Sequence, residues 1–266
     1  MGEGTAIAYI HGDAPTSPFH ASLVNLLIHD ANTTQRVTRY GGVIDFQSSP
    51  RIVAARNEVV WNFLQADELA HTDWLLMIDT DMQFEFDVLD KMHKIASAEQ
   101  VPILGGLCFA GGRGKKPPYP TIYELGRNEF GPTAKPVEDY PDDALMKVGA
   151  TGAAFLLVHR KALLEFLLPA PKGFGTMPGF VSPTGEENVA NPWPWFGDTL
   201  QGQNEIGEDI MFCLRAQALG LPVHVHTGIK VGHVKTWTIT DKDFRREQAR
   251  KAKLKADLKL PPVAAR

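Results

Sequence analysis

The chain has 266 residues, of which 44% are hydrophobic and 22% are charged, and its formal net charge is -4. This balance is typical of a globular protein and predicts no global attraction to nucleic acid or anionic lipid. No apolar run approaches the roughly 20 residues of a membrane helix, and the N-terminus lacks a signal peptide pattern, so we expect a cytoplasmic protein. Cys108 and Cys213 have no metal-ligand spacing, which predicts two buried, reduced thiols.

The first hundred residues alternate short apolar runs with segments of helical period. The pattern predicts strands over residues 5–10, 43–46, 74–78 and around 103, and helices over residues 17–28, 51–65 and 86–96. Ser17 and Pro18 are typical of a helix cap and first turn. The alternation predicts a Rossmann-like half built on a largely parallel sheet.

The second half contains fewer clear elements. A strand is predicted over residues 153–158, a helix over 160–168, a helix over 208–219 closed by Gly220, and a strand over 222–226. The stretch 171–207 is rich in Gly, Pro and Trp, which indicates a functional or mobile loop. We expect one catalytic domain over residues 1–240, with a nucleotide-binding half (about 1–104) and an acceptor-side half (about 105–240). A charged helix or tail, 241–266, follows.

Two carboxylates, Asp79 and Asp81, end the apolar strand predicted over residues 74–78. In open α/β sheets, ligands bind at the carboxyl ends of the strands. Carboxylates two residues apart on an extended segment point the same way, and their oxygens suit Mg²⁺ or Mn²⁺, which neutralise a diphosphate. The alternative is that both aspartates merely cap the next helix, so the motif gains its weight from the rest of the chain.

Two further motifs lie downstream: Gly207-Glu208-Asp209 at the start of a helix, then Val231-Gly232-His233. Together with the Asp-x-Asp, in this order, they resemble the GT-A glycosyltransferases, especially the glycosyltransferase 2-like enzymes. The Val-Gly-His ending is similar to that of the polypeptide N-acetylgalactosaminyltransferases and mannosylglycerate synthases. The resemblance covers about residues 5–235 and implies a Rossmann-like α/β fold with a mostly parallel central sheet flanked by helices.

The resemblance implies roles for the residues of these motifs. Asp81 and His233 ligate a divalent cation, Mn²⁺ or Mg²⁺, and Asp79 contacts the metal or the ribose of the nucleotide. In inverting relatives an aspartate at the position of Asp209 is the general base, and Glu208 helps to position the acceptor. In retaining relatives the leaving diphosphate can take the proton instead. The alternatives are a core histidine and acidic residues that only favour the helix dipole.

The nucleotide side has two sets of candidates. The resemblance places the nucleoside base near the backbone of Ile10, His11 and Gly12. Arg51 and Arg56 precede the carboxylate strand on a helix, where a guanidinium can bind a phosphate or the edge of the base. Pairing with a surface carboxylate is the alternative for both arginines.

The acceptor side is less strongly marked. Thr151 and Gly152 are small residues that would let a sugar approach the backbone, although tight entry into a strand explains them equally well. Trp193 and Trp195 offer aromatic faces suited to sugar rings, or they plug a long loop. Asp198 is a candidate for a sugar hydroxyl.

The charge pattern of the tail is typical of a solvated helix face, or of a site that binds DNA phosphates, a membrane surface or a partner. We expect transfer of a sugar from a nucleotide diphosphate, most simply a UDP-sugar, to a hydroxyl on polysaccharide, protein or modified DNA. Alternatives are a nucleotidyl- or phosphotransferase, whose glycine-rich phosphate loop the sequence lacks after the first strand, and a noncatalytic sugar- or nucleic-acid-binding protein. The size resembles prokaryotic and phage-encoded enzymes, the latter acting in the host cytoplasm. Stereochemistry, acceptor and oligomeric state stay open.

Overall fold

A computed structural model of the chain describes residues 4–12, 14–48, 51–111, 117–129, 131–167, 195–197, 206–235 and 241–257. The chain divides into two compact units, Met1–Val234 and Lys235–Arg266. The first contains the sheets and five helices of the described residues, and the second contains one helix. The division falls six residues before the boundary expected from the sequence.

The strands are β1 (Gly4–His11), β2 (Gly42–Gln47), β3 (Thr72–Asp79), β4 (Met82–Gln83), β5 (Ile103–Leu107), β6 (Phe109–Ala110), β7 (Tyr119–Pro120), β8 (Ile122–Asn128), β9 (Gly131–Pro136), β10 (Leu145–Val148), β11 (Ala150–Thr151), β12 (Phe155–His159), β13 (Val223–Lys230) and β14 (Gly232–His233). The helices are α1 (Ser17–Asn32), α2 (Ile52–Gln65), α3 (Val88–Ala98), α4 (Arg160–Glu165), α5 (Glu208–Ala218) and α6 (Asp241–Asp257), with a 3-10 turn at Asp67–Leu69.

Seven strands form the central sheet in the order β10-β13-β5-β12-β3-β1-β2. Five of them, β1, β2, β3, β5 and β13, run in one direction, and β12 and β10 run in the other. The predicted α/β architecture with a mostly parallel sheet is therefore confirmed. The reversed direction of β12 was not predicted. It follows from the chain path, because β12 follows the hairpin strands without a crossover helix, which a parallel neighbour would need.

Alternate residues of β3 enter two separate hydrophobic clusters, as the two-residue period of a strand requires. Leu75 and Met77 pack with residues of α2, α4 and α5 on one face of the sheet. Leu76 and Ile78 pack with residues of α1 and α3 on the other face. The sheet is thus buried on both faces, and its functional groups can be presented only at an edge.

Three smaller sheets accompany the central one. They pair β11 with β8 and β9, β14 with β4, and β6 with β7. The sequence interpretation treated much of this region as loop, because its glycines and prolines interrupt the apolar pattern. These short pairings are what bring the downstream motifs to the carboxyl ends of β3 and β5.

The cap of α1 differs from the prediction by one residue. Thr16 is the N-cap, and its Oγ1 accepts a hydrogen bond of 3.4 Å from the amide of Phe19, so Ser17 is already helical. At the other end of the chain, Gly220 follows α5 with a φ of +78°. That left-handed conformation is the reason for a glycine there, as predicted.

Candidate active site

The Asp79-Thr80-Asp81 segment is held in place through its middle residue. The carbonyl of Thr80 accepts hydrogen bonds from the amide and the hydroxyl of Thr16, at 2.9 and 3.0 Å. The Thr80 hydroxyl donates to the carbonyl of Ile10 at 3.4 Å. The residue between the two carboxylates is therefore fixed by the end of β1 and the start of α1, and both carboxylates sit at the carboxyl end of β3.

His233 lies against Asp81. Strand β14 pairs with β4 so that His233 is opposite Met82, and the amide of Val234 donates to the carbonyl of Asp81 at 2.8 Å. The Nε2 atom of His233 is 2.8 Å from Oδ2 of Asp81, and its Nδ1 atom is 2.7 Å from the carbonyl oxygen of Phe109. The structure thus joins two motifs that are 152 residues apart in the chain.

The two contacts of the imidazole constrain its protonation. A backbone carbonyl can only accept a hydrogen bond, so Nδ1 carries a proton. In a neutral ring, Nε2 then presents its lone pair to the carboxylate of Asp81. A cation held by both groups would relieve the repulsion between this lone pair and the carboxylate. Metal-bound histidines are oriented by the same kind of bond from the other ring nitrogen, so the pair fits a divalent cation.

Asp79 has a different partner, Arg56. The guanidinium of Arg56, whose side chain is 6% exposed, lies 3.1 and 3.2 Å from the two carboxylate oxygens of Asp79. Its other terminal nitrogen lies 3.4 Å from Oε1 of Glu208. Burial lowers the pKa of Arg56, but the charges of Asp79, Glu208 and Asp209 raise it by more, so the pKa is above its ordinary value. Arg56 therefore stays charged and joins the Asp-x-Asp motif to the Gly-Glu-Asp motif.

The structure thus separates the three metal ligands expected from the sequence into a contacting pair and one residue with a different partner. Asp81 and His233 are in contact, whereas Asp79 is paired with Arg56. Within the described part of the chain, no three His, Cys, Asp or Glu side chains form a group that could hold a metal ion. A cation at Asp81 and His233 would take its other ligands from water or from a bound molecule.

Asp209 stands at the first turn of α5, where its Oδ1 accepts a 2.7 Å hydrogen bond from the amide of Ile210. Burial and the charge of Glu208 raise the pKa of Asp209, against the smaller opposing effects of Arg56 and backbone hydrogen bonds. A side-chain carbon on Gly152 would be 3.6 Å from Oδ2 of Asp209. The glycine thus leaves space beside a carboxylate whose raised pKa suits a general base.

The residues proposed for the nucleoside lie at the same edge. Ile10 pairs in register with Asp79, which places the end of β1 next to the carboxylate strand. His11 is 2.8 Å from Asp45, through its Nε2 atom and a carboxylate oxygen. A side-chain carbon on Gly12 would meet no atom within 4 Å, so its backbone is open to a ligand. Arg51 is exposed and immediately precedes α2.

The acceptor-side predictions are corrected at Trp195. Its side chain is 1% exposed, and its indole nitrogen donates to the carbonyl of Leu163 at 2.8 Å. A buried ring with its polar group satisfied fills the core and has no free face for a sugar. The structure therefore agrees, for Trp195, with the alternative interpretation of the sequence, in which the side chain is a hydrophobic plug. Trp193 and Asp198 lie outside the described residues.

Thr151 also belongs to the packing. It is 1% exposed, and its hydroxyl donates to the carbonyl of Thr121 at 3.1 Å. Its amide and carbonyl contact the thiol of Cys213. The close packing at the entry to the strand therefore explains why Thr151 is a small residue. Of Thr151 and Gly152, only Gly152 faces the candidate base. Both cysteines are free and buried, as predicted.

Several residues at the site were not predicted from the sequence. The fully buried Asn57 side chain donates to the carbonyl of Phe196 and accepts from its amide, both at 3.0 Å, which fixes the described segment 195–197 to α2. Burial raises the pKa of Tyr123, with smaller contributions from Tyr119 and from the charge of Asp209. Asn57 directly follows Arg56 in the sequence, and this position could have marked it, whereas nothing in the local sequence marked Tyr123.

A cleft of about 520 Å³ lies elsewhere, between α3 and β13, and is lined by residues such as Lys94, Glu99 and His226. None of the site residues predicted from the sequence lines it. The chemistry described above lies instead at the carboxyl edge of the sheet, where ligands of such folds bind.

No helix in the described ranges has the length and apolar character needed to span a bilayer.

Comparison with solved structures identifies the fold. The A197 protein from STIV matches with 15% identity and a TM-score of 0.50, over 88% of this chain and 86% of the other. GalNAc-T7, solved with UDP, GalNAc and Mn²⁺, matches with 12% identity and a TM-score of 0.51, over 88% of this chain and 44% of the other. This chain therefore matches less than half the length of GalNAc-T7. No family model matches the sequence, and no curated protein does so. The chain has the GT-A fold of glycosyltransferases.

Proposed function

We propose that the protein is a metal-dependent glycosyltransferase that moves a sugar from a nucleotide diphosphate to a hydroxyl acceptor. The observation that carries the proposal is the meeting of Asp81 with His233, and of Asp79 with Glu208 through Arg56, at the carboxyl edge of a GT-A sheet. A pair that can bind a cation, beside a candidate base, supports the proposal. The cation can stabilise the departing diphosphate, and the base can take the proton of the acceptor hydroxyl, as in inverting relatives.

The charge of the site supports a requirement for a divalent cation. Four carboxylates, those of Asp79, Asp81, Glu208 and Asp209, surround the guanidinium of Arg56 or the imidazole of His233. A diphosphate would add further negative charge, and the resulting repulsion opposes its binding. Asp81 and His233 would hold Mn²⁺ or Mg²⁺, which as a Lewis acid stabilises the departing diphosphate.

We assign the nucleoside to the edge formed by Ile10, His11 and Gly12. The backbone of Gly12 is open, and the imidazole of His11 is oriented by Asp45. We assign Asp79, which is neutralised by Arg56, to the ribose rather than to the metal. A UDP-sugar is the donor that we propose, and the presence of UDP, GalNAc and Mn²⁺ in the GalNAc-T7 structure supports this class of donor.

We assign general-base catalysis to Asp209 and acceptor positioning to Glu208. A base must reach the acceptor hydroxyl, and the space above Gly152 gives access to Oδ2 of Asp209. The acceptor hydroxyl belongs to a polysaccharide, a protein or modified DNA. Tyr123, whose pKa the charge of Asp209 helps to raise, is a further candidate contact for it.

The test is donor hydrolysis and transfer with purified protein. We expect Mn²⁺-dependent release of UDP from one or more of UDP-glucose, UDP-galactose, UDP-GlcNAc and UDP-GalNAc, and loss of release on chelation by EDTA. The variant Asp81→Asn should remove this activity, whereas Asp142→Asn, which changes an exposed carboxylate paired with Lys230, should not. Failure of every nucleotide sugar to be hydrolysed, together with no metal-dependent nucleotide binding by calorimetry, would reject the proposal.

A further inference from the structure

The two units of the chain carry opposite net charge. Residues 235–266 contain ten lysines and arginines and four aspartates and glutamates, whereas residues 1–234 contain 17 basic and 27 acidic residues. The overall net charge of -4 conceals this separation. An anionic polymer would be repelled by the larger unit and attracted only by the smaller one.

Seven of the ten basic residues of the second unit belong to α6, a helix of 17 residues and so about 25 Å long. Arg246, Arg250 and Lys253 are exposed and follow one another at spacings of four and three residues. Side chains at these spacings share one face of a helix. Arg245, which pairs with Asp241 at 2.6 Å, lies off this face. Arg246 and Arg250 also have interactions of their own within the protein. The row of three cations, which we call the basic row, is therefore an organised feature of α6.

We propose that the basic row binds the phosphate backbone of duplex nucleic acid. A duplex carries about one negative charge per 1.7 Å of its axis, so one face of a helix can contact several phosphates at once. Lipid binding would need an apolar face beside the charges. Phe244 and Leu254 are the exposed large apolar residues of α6, ten positions apart, and they form no such face.

Single-stranded nucleic acid is disfavoured by the same composition. Its binding sites combine positive charge with several aromatic rings on which bases stack. Phe244 is the one aromatic residue of α6. Backbone contact without base stacking is therefore the mode that fits the helix, and it does not depend on DNA sequence. The proposal does not rest on the function proposed above, since binding needs no sugar nucleotide.

The experiment measures fluorescence anisotropy of the full-length protein with a labelled 20-base-pair DNA duplex at 50 mM salt, then at increasing salt. We expect micromolar binding that weakens about 100-fold by 200 mM salt, as displacement of counterions from about four phosphates requires. Duplex RNA of the same sequence distinguishes the two sources of phosphate backbone, and a single strand and anionic phosphatidylserine vesicles test the other classes.

Two matched variants locate the contact. The triple variant Arg246→Gln, Arg250→Gln, Lys253→Gln should reduce the salt slope by about 3 and the affinity at least 30-fold. The control Lys94→Gln, Lys135→Gln, Lys161→Gln makes the same charge change at exposed positions of the first unit and should change affinity less than 3-fold. The single changes Arg250→Glu and Lys251→Glu compare two faces of α6, and the first should weaken binding more.

Each result decides the proposal. Loss of duplex binding in the α6 variant alone, with circular dichroism unchanged, supports it. No duplex binding by the unmodified protein, binding to vesicles or single strands in preference to duplexes, or equal losses in the two triple variants would overturn it. The donor hydrolysis assay is run separately on the same variants, so that failure of DNA binding and failure of sugar transfer are distinguishable.

Discussion

Asp79 and Asp81 are separated by one residue, yet the structure gives them opposite surroundings. Their side chains are similarly exposed, at 33% and 37%, so burial does not distinguish them. What differs is the partner: Asp79 faces a buried guanidinium, and Asp81 faces an imidazole nitrogen. The first partner carries a permanent charge, whereas the second can exchange a proton for a metal ion.

The Asp-x-Asp motif is therefore asymmetric. The half around Arg56 (Asp79, Glu208 and Asp209) is linked by a fixed positive charge, and we call it the arginine half. The half formed by Asp81 and His233, which we call the metal half, has no fixed positive charge of this kind. We therefore expect changes in the arginine half to affect folding and chemistry, and changes in the metal half to affect metal-dependent nucleotide binding.

The largest expected effect is that of Asp209→Asn. Removing a general base reduces turnover by about 10²–10⁴-fold. Because the pKa of Asp209 is raised, the acid limb of kcat/KM should lie above the ordinary aspartate value of about 3.9 and disappear in the variant. Steady-state kinetics with the best donor, from pH 4 to 8, measures both the loss of turnover and the position of the acid limb. The affinity for UDP should be unchanged.

The same variant separates catalysis from helix capping. A carboxyl group whose pKa is raised by folding stabilises the protein fully below its unfolded-state pKa, and that contribution is lost as the pH rises through the folded-state pKa. The neutral asparagine keeps an oxygen for the amide of Ile210 and avoids the cost of a buried charge. At pH 7 its midpoint of thermal unfolding should thus equal or exceed that of the original protein. A lower midpoint with normal turnover would identify Asp209 as a cap only.

The next largest effect concerns the folding of the arginine half. Arg56→Met would leave the carboxylates of Asp79 and Glu208 without their buried partner, which costs about 3–5 kcal/mol of unfolding free energy. Arg51→Met, at an exposed position five residues earlier, should cost less than about 0.5 kcal/mol. Urea denaturation of both variants gives the comparison. Equal losses would mean that Arg56 does not hold the two motifs together.

The metal half is tested by nucleotide binding. Asp81→Asn should weaken Mn²⁺-dependent binding of UDP by about 100-fold, the upper end of the effect of groups that only support metal ligands. Asp79→Asn should weaken it about 10-fold or less, because Arg56 and not the cation is its partner. Calorimetric titration of UDP into each variant, with and without Mn²⁺, measures the loss of affinity caused by each substitution. If both variants lost metal dependence to the same degree, the proposed asymmetry would be wrong.

The sequence predicted the fold well because its signals are local. The apolar run before Asp79 and the glycine after α5 each imply an element without knowledge of the rest of the chain. The order of the strands and the antiparallel β12 could not be obtained in this way, since they depend on contacts between distant residues.

The site was predictable as a list of residues but not as a set of partners. Asp79, Asp81, Asp209 and His233 stand out by motif, yet nothing in the sequence says that Arg56 joins Asp79 to Glu208. The partner of Nδ1 in His233 is a main-chain carbonyl, a group that every residue has and that no side-chain pattern can mark. The prediction that Trp195 offers a face to a sugar was wrong for a related reason. An aromatic residue near a motif suits a binding face and a hydrophobic core equally.

The smallest expected effect, that of Gly152→Ala, tests whether the arginine half faces the acceptor. The added methyl group would lie 3.6 Å from Oδ2 of Asp209 and at least 3.4 Å from Thr121, which are ordinary contact distances, so the fold should tolerate it. The methyl would nevertheless occupy the space through which we propose that an acceptor hydroxyl reaches the carboxylate. We expect the KM for the acceptor to rise about 10-fold, equivalent to about 1.4 kcal/mol, while the KM for the donor stays the same. A rise in the donor KM instead would place the sugar nucleotide, and not the acceptor, above Gly152, and Asp209 could then no longer be the base.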